Sequence, residues 1–352
     1  MAKNCCKRFC QCCCLTIFAI VAAFFILVLS LWIGDSVTIY YQPNECGFRP
    51  GFNGSFSNWD YDRNTAKRNA LEREFPWMAK IVSRETKNAT HYEVVYCSAT
   101  LISHEYAITA GHCVDSSPQY RAIIFGKNSI VDSDGLVLTE LSAVNPFGIF
   151  FPDVRQIKSV DVKLHPEYLA YVNRRGEKEI ENDIALVKLN PPIVFGDNIQ
   201  PICMANSDYS FSSQHGETSA NFRVGKTMLW PQDKCEHFLN KPSILCSGTL
   251  DTSHNNNGDS GGPVMIRDQM YKLENRETQD GVQNRVTLKP IKERWYQIGV
   301  HSFSVTSKGS NRRFLDAATR TSKYCDFIEA NSDVKCKIFG IEEAIGEMEN
   351  SK

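Results

Sequence analysis

The sequence predicts an all-β domain closed by one C-terminal helix and preceded by a single membrane-spanning helix. Three observations predict it. From Phe75-Pro76-Trp77-Met78 onward the chain consists of short apolar runs separated by turn residues, as strands require. No sustained 3.6-residue periodicity occurs until Tyr324, Phe327 and Ile328, whose spacing puts them on one face of a terminal helix. Residues 15–33 carry no charge over nineteen positions, enough to cross a bilayer.

At the N-terminus Lys3, Lys7 and Arg8 precede the apolar run and Asp35 follows it. Positive charge on the leading side favours a cytoplasmic N-terminus, so a single-pass type II topology puts everything after Gly34 outside the cell or in the secretory lumen. The rival reading is a cleaved signal peptide and a secreted protein. A signal peptide usually has an apolar region of about 7–15 residues, and no small-x-small cleavage site follows here before polar sequence begins. Six of the 14 cysteines stand at positions 5, 6, 10, 12, 13 and 14, as candidates for palmitoylation, for a metal cluster or for plain reduced thiols. The other eight run from Cys46 to Cys336, in the part assigned to an oxidising compartment. Residues 34–74, with Pro43, Pro50, Gly47, Gly51 and Gly54, read as an irregular propeptide-like stem. The expected organisation is therefore a cytoplasmic tail (1–14), an anchor (15–33), a stem (34–74), a β domain (75–336) and a C-terminal tail (337–352). Asn53 and Asn88 begin sequons in the luminal part. A net charge of -1 with 22% charged residues supplies no basic excess, so nucleic acid is not an expected partner.

Along the β domain, residues 92–96 are rich in β-branched and aromatic side chains. Residues 99–102 followed by 106–109 read as a hairpin leading into His112. Val160-Asp161-Val162-Lys163-Leu164 alternates before His165-Pro166, and residues 184–189 alternate directly after Asp183. Residues 132–153 look like loop, and the charged stretch 267–294 between two apolar strand signals reads as a solvated surface loop.

Three local motifs carry chemistry. Ser260 sits in Asn257-Gly258-Asp259-Ser260-Gly261-Gly262-Pro263, a glycine-lined turn with an acid directly before the hydroxyl. A serine hydroxyl attacks only when a base takes its proton, and His112 in Thr109-Ala110-Gly111-His112-Cys113 supplies one. Asp183 in Asn182-Asp183-Ile184-Ala185-Leu186 supplies the acid that orients the base. Each motif alone is also compatible with a glycine turn, a core histidine or a strand-initial acid. Together, in the order His, Asp, Ser, they resemble the chymotrypsin-like serine proteases over about residues 75–331.

The resemblance implies two six-stranded antiparallel barrels with the triad in the cleft between them, and a serine endopeptidase acting on protein or peptide substrates without cofactor or metal. It implies an oxyanion hole from the N–H groups of Gly258 and Ser260, and a strand at Ser302 that lines the substrate and supports the acid. It also implies disulfides Cys46–Cys203, Cys97–Cys113 and Cys235–Cys246, leaving Cys325 and Cys336 as a fourth bridge. Family zymogens are cut by an activating protease so that a new apolar N-terminus pairs with the acid before the serine, here Asp259. No such apolar sequence is present. The corresponding position falls near Arg63-Asn64-Thr65-Ala66, and Lys67-Arg68 offers a second, dibasic cut before Asn69. This departure leaves a catalytically silent binding or scaffold protein as the alternative function. Protein inhibitors are expected partners of an active enzyme. At the primary pocket the position six residues before the serine is His254, and Asp316 aligns with the opposite pocket wall, where its carboxylate would pair with a basic substrate side chain or with His254.

Overall fold

The structure is a computed structural model that describes residues 21–26, 28, 45–50, 52, 67–71, 73–88, 91–116, 120–126, 155–158, 161–172, 174, 178–206, 223–225, 227–248, 259–276, 285–306 and 313–340. The chain divides into two compact units, residues 1–45 and residues 46–352. In the first, residues 21–26 and 28 are helical. No helix among the described residues is long and apolar enough to cross a membrane, and most of the expected anchor lies outside them.

In the second unit the strands are, in chain order, β1 (Lys67–Asn69), β2 (Met78–Asn88), β3 (His91–Leu101), β4 (Tyr106–Thr109), β5 (Tyr120–Phe125), β6 (Arg155–Lys158), β7 (Asp161–Leu164), β8 (Leu169–Val172), β9 (Lys178–Glu181), β10 (Ala185–Lys188), β11 (Cys203–Met204), β12 (Arg223–Gly225), β13 (Ile244–Ser247), β14 (Pro263–Arg276), β15 (Arg285–Thr306) and β16 (Arg313–Arg320). Helix α1 (Gln232–Leu239) precedes β13, and α2 (Cys325–Asn331) follows β16. The N-terminal sheet runs β6-β5-β2-β3-β4-β10-β7, and the C-terminal sheet runs β11-β15-β16-β13 with β14 also on β15. Among the described residues the sheets thus have seven and five strands where two sets of six were expected. One reason is that β12 pairs with β1 and not with the C-terminal sheet.

The hairpin before His112 forms as β3 and β4, with Thr100 opposite Ile108, and the Ser103 hydroxyl accepts the N–H groups of Glu105 and Tyr106 at its turn. In β7 the alternation is real: Val162 and Leu164 are half-buried and Asp161 and Lys163 exposed. In β10 it is not, because this strand lies between β4 and β7 and buries Ala185, Leu186 and Val187 in succession, releasing only Lys188 to solvent. The terminal helix packs its Phe327 and Ile328, with Tyr324 before it, into the main core beside Trp77, Ile108 and Leu186.

Within the charged stretch 267–294, residues 267–276 and 285–294 are strand and not loop. They continue β14 and β15 into a two-stranded ribbon paired out to Arg276 opposite Arg285, with irregularities at Val264/Met265 and Met270/Tyr271. Backbone pairing satisfies the N–H and C=O groups of such a segment whatever its side-chain charge, so a polar sequence is no bar to a ladder. Residues 132–153 lie outside the described residues.

Candidate active site

His112 stands in a single 3-10 turn, Gly111–Cys113, that stops the chain at the end of β4. The turn is braced from behind by the Cys97–Cys113 disulfide, which ties it to β3. Asp183 lies between β9 and β10. The residue before it, Asn182, has a φ of 49°, a left-handed conformation that asparagine tolerates better than most residues. That residue is pinned on both amide atoms: its Nδ2 donates to the Glu167 carbonyl at 2.8 Å and its Oδ1 accepts the Tyr324 hydroxyl at 2.9 Å.

The acid grips the histidine at two points. His112 donates its backbone N–H to Asp183 Oδ1 at 2.9 Å, and its Nδ1 lies 2.8 Å from Oδ2. The Ser302 hydroxyl donates to the same Oδ2, and the Thr319 hydroxyl donates to the Asp183 carbonyl at 2.8 Å. Burial alone pushes this carboxyl up, since only 2% of it is exposed. The hydrogen bonds from His112 and Ser302, with the charge of His112, outweigh burial and hold it below the usual carboxylate range. The carboxylate therefore stays ionised and favours the proton on Nδ1, leaving Nε2 as the basic nitrogen.

Ser260 is half-buried on the turn that enters β14. The turn is stitched to both sheets: Ser98 of β3 donates its N–H to the Ser260 carbonyl at 2.7 Å, Gly261 donates to the His301 carbonyl at 2.8 Å, and His301 donates back to Gly262 at 2.8 Å. Gly261 has a φ of 81°, and a Cβ there would come within 2.2 Å of Thr109 Oγ1 and 2.3 Å of the Ser98 carbonyl. Glycine is thus required twice, for the backbone conformation and for close approach to the strand that ends three residues before His112. Asp259, the preceding acid, is fully buried.

Asp316 is fully buried on β16 and accepts the Ser304 hydroxyl at 2.6 Å, across the ladder in which those two residues face each other. His254 and Gly258 lie outside the described residues, as do Asn53, Arg63 and Asn64; Asn88 ends β2, opposite His91 at the tip of a hairpin. All four bridges are present: Cys46–Cys203, Cys97–Cys113, Cys235–Cys246 and Cys325–Cys336. The sulfurs of Cys97 and Cys113 cluster with His112, but as a disulfide they offer no thiolate to a metal. Sequence reasoning missed Thr319, Tyr324 and Ser98, whose parts depend on contacts between distant segments. Asn182 did leave a signal, as an Asn directly before the acid.

A family model described as "Trypsin" matches residues 65–147 and 152–328. Among curated relatives, phenoloxidase-activating factor 1 of Holotrichia diomphalia is 24% identical over 82% of this chain and 73% of its own length. Ovochymase of Halocynthia roretzi is 25% identical over 78% of this chain, which spans only 15% of that longer protein. Among solved structures, the Drosophila Grass clip serine protease of the Toll pathway superposes with a TM-score of 0.53 at 19% identity, covering 86% of this chain and 79% of that one; the likeness supports the fold. With the matched segments containing His112, Asp183 and Ser260, the chain belongs to the trypsin family of serine-type endopeptidases, as a divergent member.

Proposed function

We propose that the chain cleaves protein or peptide substrates with Ser260 as nucleophile, His112 as base and acid, and Asp183 as the group that fixes the imidazole. The observation that carries this reading is the two-point grip of Asp183 on His112, beside the turn that bears Ser260. The Ser260 hydroxyl adds to the scissile carbonyl while His112 takes its proton. His112 then protonates the leaving amine as the C–N bond breaks, which leaves an ester between Ser260 and the acyl part of the substrate. Water, deprotonated in turn by His112, hydrolyses that ester and restores the serine. The oxyanion is assigned to the N–H groups of Gly258 and Ser260. Peptide turnover by the Ser260→Ala and His112→Ala variants tests the roles: each should lose at least a thousandfold in kcat, and a variant that retains wild-type turnover refutes its assignment.

Specificity is assigned to Asp316, whose buried carboxylate would favour a basic substrate side chain. Profiling a peptide library with wild type and Asp316→Ala tests this, since a preference that is not basic, or one unchanged by the substitution, removes Asp316 from the role. Activation is assigned to an upstream protease cutting in the stem, in keeping with relatives named as activating and CLIP-domain proteases. Asp259 is assigned as the acid that a new N-terminus would meet; either cut exposes a polar asparagine, which makes that pair form less favourably than an apolar N-terminus would. The catalytic unit is proposed to be membrane-tethered through residues 15–33, facing the extracellular or luminal side. The exposed apolar side chains of Phe24, Phe25 and Ile26 on the described helical residues support this, and glycans are proposed on Asn53 and Asn88.

A further inference from the structure

Residues 78–82 of β2 are buried one after another, and all but one of them are apolar. The exception is Lys80, which is 0% exposed. β2 lies between β5 and β3, so Lys80 stands opposite Ile124 on one side and Ser98 on the other. Its Nζ donates to the Ser98 hydroxyl at 2.6 Å. A methionine would fill the same place without taking a charge out of water, so packing alone does not account for a lysine here.

The residue it holds does account for it. Ser98 is also fully buried and is gripped at three atoms. Its Oγ accepts Lys80 Nζ, its N–H donates to the Ser260 carbonyl at 2.7 Å, and its own carbonyl accepts the Thr109 hydroxyl at 2.8 Å. Thr109 ends β4 three residues before His112, and a Cβ on Gly261 would come within 2.2 Å of its hydroxyl oxygen. The neighbouring Cys97 is bridged to Cys113, directly after His112. Ser98 is therefore the place where the segment bearing the proposed nucleophile is registered against the segment bearing the proposed base. Lys80 reaches that residue from β2 while the turn and β4 hold its backbone. A hydrogen bond from an ammonium is stronger than one between neutral groups, and stronger again away from water.

We propose that Lys80 is a positioning residue: through Ser98 it holds the turn that carries Ser260 in register with the segment that carries His112. The inference rests on the hydrolytic reading above and adds to it a buried cation that touches neither substrate nor reacting atoms. Its loss costs turnover and not binding. A serine out of register attacks every acyl donor more slowly, while substrate contacts made elsewhere are kept.

The test uses the full chain after cleavage in the stem, with Lys80→Met, Ser98→Ala and the double variant, each assayed well below its unfolding temperature. Lys80→Met is expected to lower kcat on a peptide, and the rate of labelling by a serine phosphonate, roughly tenfold each with KM unchanged. Ser98→Ala keeps the backbone N–H and removes only the hydroxyl, and a similar fall is expected. The double variant should fall no further than Lys80→Met, because the lysine acts through that hydroxyl. Wild-type kcat in Lys80→Met overturns the proposal. So does a rise in KM that accounts for the loss, or a double variant in which the two losses multiply. If Lys80→Met does not fold, Ser98→Ala decides: a tenfold fall at unchanged KM supports the proposal and wild-type kcat overturns it. Wild type and both single variants labelling at one rate removes the positioning role alone; a wild type that does not label removes the hydrolytic reading and this role with it.

Discussion

At the scale of single residues, Asp183 joins its proposed catalytic role to stability. Its carboxyl is held below the usual range in the folded state, so on acidification the unfolded chain takes up that proton first. Its contribution to stability is present at neutral pH and is lost as pH falls through the depressed folded value. Urea unfolding of wild type and Asp183→Asn at pH 7 and at pH 3 checks the sign: the gap between them should be wider at pH 7. Catalytically the same substitution keeps the geometry but removes the ion that selects the His112 tautomer, and a fall in kcat of roughly 10⁴ is expected from related triads. Gly261→Ala acts differently. Its Cβ would meet backbone as well as side chain, at a φ that costs an L-residue about 1–2 kcal/mol before any clash, so a destabilisation above about 2 kcal/mol is expected in thermal unfolding. These demands explain what was readable. A glycine turn around a serine, and a His or Asp at a strand end, are local requirements that leave local marks. The hydroxyl of Thr319 on the Asp183 carbonyl spans 136 positions and leaves none.

At the scale of elements, residues 46–50 and 52 of the expected stem are less detached than its composition suggests. Cys46 and Phe48 are buried; Lys292 Nζ lies 3.4 Å from the centre of the Phe48 ring, and the Arg49 guanidinium lies 4.5 Å from the Phe52 ring and 5.0 Å from Trp295. Burial lowers the Arg49 pKa to about 10, against the opposing pull of Glu74 and Glu293, and the side chain still donates to the Glu74 carbonyl. Arg49→Ala is expected to destabilise the catalytic unit by about 1–2 kcal/mol, mostly through lost stacking, which chemical denaturation measures directly. With Cys46 bridged to Cys203, a cut anywhere in residues 53–69 should leave the N-terminal piece attached on a non-reducing gel and free it on a reducing, denaturing one. Separation without reductant would contradict the bridge. The pairing of β1 with β12 further bears on where that cut falls. Arg68 and Asn69 are opposite Val224 and Arg223, so a protease must strip this strand from its partner before it can cut between them. Arg63 lies before the strand, and mass spectrometry after mild trypsin treatment should find Asn64 as the first new N-terminus, ahead of Asn69. The ribbon of β14 and β15 shows the converse limit on reading elements. Bulge-like irregularities break its alternation, and its charges mask a ladder held by backbone groups common to every sequence.

At the scale of the whole molecule, the proposed nucleophile, base and acid lie on segments of two sheets that are hydrogen-bonded to each other, Ser98 of β3 donating to the Ser260 carbonyl. β3 and β4 deliver His112, the entry to β10 delivers Asp183, and the turn into β14 delivers Ser260, while β15 and β16 contribute the Ser302 and Thr319 hydroxyls that hold the acid. The family's chemistry was legible because each strand end carries its own motif. The number of strands in each sheet was not, because it depends on which distant partner β12 finds. Reaction of the stem-cleaved chain with an active-site serine phosphonate, read as a mass shift on the peptide containing Ser260, tests whether Ser260 is the nucleophile. One adduct on Ser260 in wild type and none in Ser260→Ala or His112→Ala is the expected result; a cleaved, folded wild-type chain that stays unlabelled would contradict it.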